Sequence, residues 1–206
     1  MFFFFLIALF FTDNSYSSTC EFQEIRNFKT AKFCLQNTKR DFSKSASKKE
    51  VIKSTITPSE FHALERYIDP DGMYINKVLW NDLKMNQIEK KRYDLLKSAL
   101  SKLPSSRRLL NRGTRLSKSL LAQYKKGKTF LWKGFTSTSA FHNLYFVENV
   151  HFIIKAYNAK EVWPISIHKE EYEFLLTSFT NFKVLDVNRN EKYTEILVEE
   201  ILTKNN

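Results

Sequence analysis

The apolar positions of this chain change their period near Pro104, and the change divides it into a helical first half and a strand-rich second half. In the first half, Thr57-Pro58-Ser59-Glu60 reads as a helix start. Thr57 can cap, Pro58 suits the first helical position, and Glu60 completes a capping box. The predicted helix runs to about Ile68, where Asp69-Pro70-Asp71-Gly72 marks a turn. Ile75, Leu79 and Leu83, four residues apart, predict a second helix over 73–83. Ile88, Leu95, Ala99 and Leu103 mark the apolar face of a third, over 87–102, which Pro104 ends.

Beyond Pro104, residues 108–113 read as a short strand, and 118–125 as a short helix closed by Gly127. Residues 129–132 and 134–138 read as strands, and 140–148 as a further helix. Four more strands, rich in β-branched and aromatic residues, follow over 150–157, 171–177, 181–188 and 193–202. Helices first and strands later point to an α+β domain rather than a wound parallel sheet.

A chain of 206 residues is long enough for one such domain with a proper core. Its N-terminus has a different texture. Residues 2–11 are wholly apolar, too few to span a bilayer. They suit the apolar region of a secretory signal peptide, with Ser15 and Ser17 near a cleavage point, although no Lys or Arg precedes them. Residues 1–18 are accordingly read as a signal peptide of a secreted protein, with no transmembrane anchor. Residues 19–56 form a polar, basic arm, in which 44–49 read as a flexible linker or exposed turn. Cys20 and Cys34 are open to two readings: a disulfide if the chain is exported, or two free thiols if it is not. Neither suggests a metal, since His62, His142, His151 and His168 are scattered and no ligand spacing occurs.

The net charge is +11, and no Asp or Glu lies between Asp94 and Glu148. Such a basic stretch attracts anions. Nucleic acid is not expected, because no aromatic-basic RNA signature, zinc pattern or helix-turn-helix spacing accompanies it. A dinucleotide diphosphate needs only part of this charge.

Three short motifs carry candidate chemistry. Arg112 and Gly113 lie in Leu109-Leu110-Asn111-Arg112-Gly113; a guanidinium grips phosphate oxygens with two parallel bonds. Gly134-Phe135-Thr136 leads into Ser137-Thr138-Ser139. Glu171 and Glu173 lie in Glu171-Tyr172-Glu173-Phe174-Leu175-Leu176. In a strand, residues two apart share a face, which predicts that both acids project together while Tyr172 points away. Alone, each motif is as readily a surface arginine, a turn or a charged edge strand.

Their joint order resembles the mono-ADP-ribosyltransferases marked by an arginine, a Ser-Thr-Ser and a Glu-x-Glu. The resemblance covers residues 57–202, with Tyr67, Tyr74-Ile75-Asn76 and Leu79 matching the helices upstream. It implies helices packed on a mixed or antiparallel two-sheet β core, and NAD as substrate without a metal. By that resemblance Glu173 is catalytic, binding the ribose and stabilising its cation. Glu171 positions or deprotonates the nucleophile, and Ser137 holds Glu173. Arg112 grips NAD, Gly113 lets the backbone approach the nicotinamide, and Thr138 and Ser139 shape the pocket. Glu170 and Arg115 are competitors for these roles. Phe141 or Phe146 lies either over the nicotinamide or in the core, and residues 162–169 are expected as the loop facing a target protein, with Trp163 in it or buried in a strand. Ala159-Lys160 and Pro164 depart from the family's pattern. A glutamate at the first acid position resembles enzymes that modify arginine, so the expected activity is ADP-ribose transfer to an arginine of a target protein by a monomeric, toxin-like enzyme. The alternatives are an NAD glycohydrolase using the same site and an inactive basic binding module.

Overall fold

The computed structural model describes residues 20, 22–38, 43–68, 72–141 and 148–202. The turn read at 69–71, the signal peptide, Phe146 and most of the helix read at 140–148 lie outside them. Six helices are present among the described residues: α1 Phe28–Gln36, α2 Ser45–Thr55, α3 Pro58–Ile68, α4 Gly72–Trp80, α5 Gln87–Lys102 and the short α6 Lys118–Leu121. Seven strands are interleaved with and follow them: β1 Ser105–Thr114, β2 Thr129–Trp132, β3 Thr136–Ser139, β4 Val150–Glu161, β5 Glu173–Leu176, β6 Thr180–Arg189 and β7 Thr194–Glu200. The α+β expectation holds.

Local signals explain the boundaries that were read well. The Thr57 amide donates to Glu60 Oε2 at 2.8 Å and the Glu60 amide to Thr57 Oγ1 at 3.3 Å, the reciprocal capping box that starts α3. α5 spans the predicted residues, but its buried side is Leu96, Ala99 and Leu100, while Ile88 is exposed. Four-residue spacing alone left the phase of the helix ambiguous, and packing against α3 selected it. α4 stops at Trp80, so Leu83 is outside the helix and exposed. Residues 44–49 are a correction: rather than a linker, Ser45 onward forms α2, whose Ile52 is buried against the α3–α5 layer.

The strands run in the order β1-β3-β5-β4-β7-β6-β2, and β1 also pairs with β4. Every pairing is antiparallel except β4 with β7. β4 has three partners in this one sheet: β1 follows it from Thr114↔Val150 to Ser105↔Lys160, β7 takes Val150 to Lys155, and β5 pairs with Lys160 and Glu161. β1, β3, β5 and β4 thereby close a ring of hydrogen-bonded strands. Because β4 is covered on both faces it reads as a nearly continuous buried run, Phe152, Ile153, Ile154 and Ala156 among them. Each such large apolar side chain contributes roughly 1.5–3 kcal/mol relative to exposure.

The arm packs as part of this core. A Cys20–Cys34 disulfide, with Cα atoms 5.7 Å apart, lies in a buried cluster with Leu35, Leu109, Ile153 and Leu197. Lys155, 1% exposed, is matched by Glu199 at 2.8 Å, and Lys32 of α1 by the buried Glu195. Burying a charge requires such a partner. The arm therefore braces the backs of β1, β4 and β7.

Candidate active site

Three neighbouring strands carry the three motifs. β1 brings Arg112, β3 brings Ser137 to Ser139, and β5 begins at Glu173. Register sets Asn111 opposite Ser139, and Ser139 opposite Glu173. Alternation then puts Ser137 and Ser139 on the face of β3 shared by Glu173 on β5. The Ser137 side chain hydrogen-bonds Glu173, and the Arg112 guanidinium donates to the Ser137 carbonyl at 2.6 Å. Burial pushes the Arg112 guanidinium down from its ordinary value, and the nearby Glu173 opposes the fall. Gly113 follows Arg112 on the strand, half-buried.

Glu173 is 6% exposed. Burial pushes its carboxyl up from 4.5 to about 7, the nearby Glu171 charge adds to the rise, and Ser137, Arg112 and His168 oppose it. A buried carboxyl poised near neutrality beside a half-buried guanidinium is what a functional site produces more often than a purely structural one.

The placement of Glu171 corrects the alternation argument. It does not lie in the strand; it is the last residue of a single 3-10 turn, Lys169–Glu171, and Tyr172 follows with φ 49° and ψ 54°. That left-handed residue reverses the chain, so the acids meet across a turn rather than along one pleat. Ser139 and Thr138 hold this corner. Ser139 Oγ donates to the Glu171 carbonyl at 2.7 Å, and Thr138 Oγ1 to the Phe174 carbonyl at 2.7 Å.

The competitors separate. Arg115 is exposed and bonded to Glu148 at 3.0 Å, and Glu170 is exposed beside His168. Phe141 is buried edge-on against Tyr172, 4.9 Å between centroids, so its ring belongs to the core. Trp163 is fully buried, in the turn after β4 rather than in a strand, and stacks on Tyr172. Pro164 occupies the same turn, which accounts for a proline next to a central strand. Lys160, which follows Ala159 in the other departure, has its Nζ bonded to the Leu103 carbonyl at 2.7 Å and Ser105 Oγ at 2.9 Å, closing the α5–β1 corner.

Sequence reasoning assigned no role to Asn111, Tyr67 or Asn76. Asn111 Nδ2 donates to the carbonyls of Ser139 and Phe141, sewing β1 to the end of β3. Tyr67 Oη and Asn76 Nδ2 both donate to the Phe135 carbonyl, at 3.1 and 2.8 Å, and fix the entry to β3. Gly134 is required there, because a Cβ would stand 2.6 Å from Trp80 Nε1 and 2.8 Å from Asn76 Oδ1. Only the resemblance pointed to Tyr67 and Asn76; hydrogen bonds from helix to strand entry leave no periodic trace.

Comparison with known proteins agrees with this arrangement. Mav of Mycobacterium avium (strain 104), named for an NAD(+)–arginine ADP-ribosyltransferase, is 29% identical over 143 residues, which is 68% of this chain. The chain spans only 17% of Mav's length. Exoenzyme S of Pseudomonas aeruginosa, solved with human 14-3-3 protein beta and carba-NAD, is 21% identical, with a TM-score of 0.63 over 77% of this chain and 82% of its own. Vis of Vibrio splendidus, solved with agmatine, is 23% identical, with a TM-score of 0.63 over 80% of this chain and 87% of its own. At these identities the two structures attest the fold. The family model described as NAD:arginine ADP-ribosyltransferase matches residues 83–206, more than half of the sequence and all three motifs, and the chain belongs to that family.

Proposed function

We propose that this chain transfers ADP-ribose from NAD to the guanidinium of an arginine on a target protein and releases nicotinamide. The observation that carries the reading is the convergence of Glu173, Ser137 and Arg112 from three adjacent strands, with Glu171 close enough to act on Glu173 electrostatically. Arg112 supplies the cation for the pyrophosphate, and Gly113 leaves room for the nicotinamide against the backbone. As the nicotinamide–ribose bond lengthens, positive charge builds on the ribose, and the Glu173 carboxylate stabilises it. A protonated guanidinium is a poor nucleophile; Glu171 accepts its proton as it attacks. Thr138 and Ser139 act by holding the Glu171–Phe174 corner.

The family description, the name of Mav and the agmatine bound to Vis support arginine as the acceptor. The target is then a protein presenting an exposed arginine near the 162–169 loop. We read residues 57–206 as the catalytic domain of a monomer, 19–56 as an arm docked on it, and 1–18 as a signal peptide of a secreted, toxin-like protein. The buried disulfide supports export, since such bonds persist in oxidising compartments. Among the described residues no helix is long and apolar enough to cross a membrane.

The test is incubation with labelled NAD and agmatine. A labelled ADP-ribosyl-agmatine adduct is expected, and its absence at every acceptor concentration overturns the proposal. Glu171→Gln separates transfer from hydrolysis: adduct formation should fall at least about a hundredfold while NAD hydrolysis partly survives. Equal loss of both, or loss of neither, removes the role given to Glu171.

A further inference from the structure

We propose that Tyr172, clamped by Trp163, is the positioning residue that holds Glu171 against the acceptor, and so sets how NAD cleavage divides between arginine and water. The inference rests on the transferase reading above and adds to it a residue whose ring is buried among core aromatics.

Tyr172 is a bulky residue held at φ 49°, ψ 54°, a conformation that side chains with a Cβ avoid by roughly 1–2 kcal/mol unless their surroundings impose it. Its surroundings do. The ring is stacked on Trp163 with centroids 4.4 Å apart and planes 15° from parallel, and Phe141 meets it edge-on at 4.9 Å. The Tyr172 amide donates to the Lys169 carbonyl at 3.1 Å, and its own carbonyl accepts from Ala140 at 3.4 Å. Trp163 is in turn fastened to the strand it serves, its backbone amide donating to the Glu173 carbonyl at 3.0 Å.

The consequence is directional. Glu173 belongs to a strand paired on both edges, with β3 and β4, and stays in place through that pairing. Glu171 has no ladder to hold it. It sits in a single 3-10 turn whose approach is set by the left-handed residue after it and by the Ser139 hydroxyl on its carbonyl. Loosening Tyr172 therefore displaces the acid that activates the acceptor and spares the one that stabilises the ribose cation. Misplacement of a catalytic group by about 1 Å is enough to lower a rate by up to about a hundredfold.

Agmatine adduct and free ADP-ribose are measured together for wild type, Tyr172→Gly, Tyr172→Asn, Trp163→Ala and Trp163→Phe. Glycine and asparagine adopt the left-handed conformation but lose the stack, so the turn is permitted and no longer imposed. The ratio of transfer to hydrolysis should fall about tenfold in Tyr172→Gly, Tyr172→Asn and Trp163→Ala, and recover largely in Trp163→Phe, which restores a ring. Damage to the fold lowers both products together. A ratio within about twofold of wild type in every variant that folds overturns the proposal.

A second measurement does not depend on turnover. The Glu173 carboxyl, followed by carbon-13 NMR, feels the Glu171 charge together with those of Arg112 and His168. Tyr172→Gly should lower its titration midpoint in the wild-type background and much less in Glu171→Gln. An equal shift in both backgrounds shows that Glu171 has not moved, and overturns the proposal. If wild type turns over no NAD, the transferase reading fails, whereas the titration still judges the clamp.

Discussion

Two glutamates in this molecule are buried to a similar degree and behave oppositely. Glu60 on α3 is 3% exposed and Glu173 on β5 is 6% exposed. Glu60 accepts from Lys102 Nζ at 2.6 Å, Ser98 Oγ at 2.5 Å and the Thr57 amide at 2.8 Å, and these donors hold its carboxyl down at about 2. Glu173 has Ser137 as its hydrogen-bond donor and Glu171 as a repelling neighbour, and burial pushes it up to about 7. The helical layer surrounds its acid with donors until the charge is welcome. The strand layer leaves its acid under-compensated. Around Glu60 the donors outweigh the loss of water, whereas around Glu173 the loss of water outweighs Ser137, Arg112 and His168.

The most severe way to break the comparison is Glu173→Gln. NAD turnover should fall at least about a hundredfold, and more if the carboxylate is the main stabiliser of the ribose cation. The fold should respond in the other direction. Glu173 binds its proton more tightly folded, with a midpoint of about 7 against 4.5, so it costs stability progressively as pH rises through that window. Removing the charge should therefore stabilise the protein above pH 7 by up to about 3 kcal/mol, with no gain at pH 4. Thermal melts of both proteins across pH check this, and a variant less stable than wild type at pH 8 contradicts it.

A smaller effect sharpens the same point without mutation. For wild type, kcat/KM should fall about tenfold per pH unit below about 7, as Glu173 takes its proton in the free enzyme. The limb in kcat should lie lower, since the positive nicotinamide ring of bound NAD favours the carboxylate. A kcat/KM that stays flat to pH 5 means that Glu173 is as well compensated as Glu60.

The mildest expected effect on activity belongs to Glu60→Gln. Its carboxylate contributes stability above the ordinary carboxyl range, lost as pH falls toward 2. The variant should melt several degrees lower at pH 7, converge with wild type in acid, and keep NAD turnover within about threefold below its melting range. A large loss of turnover in the folded variant would make Glu60 more than a structural acid.

What could be read from the chain and what could not follow the same division. The Glu60 capping box is local, and Thr57-Pro58-Ser59-Glu60 displays it; Ser98 and Lys102 come from another helix, roughly forty residues on, and leave no sign near Glu60. The end of α5 was legible from Pro104, yet its buried side was not, because Leu95 and Leu96 are equally apolar and packing chose Leu96. Residues 44–49 look like a linker because Lys and Ser avoid cores, but only one face of α2 needs to be apolar, and Ile52 supplies it. Glu171 and Glu173 were legible as a pair. Their relation was not, since an alternating strand and a left-handed corner can carry the same three letters.

By itself the sequence determined the order of most elements after Thr57, much of the capping and punctuation that bound them, and the residue types of the candidate site. These are local properties, set by backbone sterics, side-chain size and charge within a few positions. Only the tertiary structure decided that β4 pairs with β1, β5 and β7, that the arm and its disulfide lie against the back of β1, that Trp163 stacks on Tyr172, and that one buried acid is satisfied while the other is held near neutrality. Those outcomes depend on which distant segments share a low-dielectric interior, and the strength of every charge interaction there is set by neighbours that the chain brings together only when it folds.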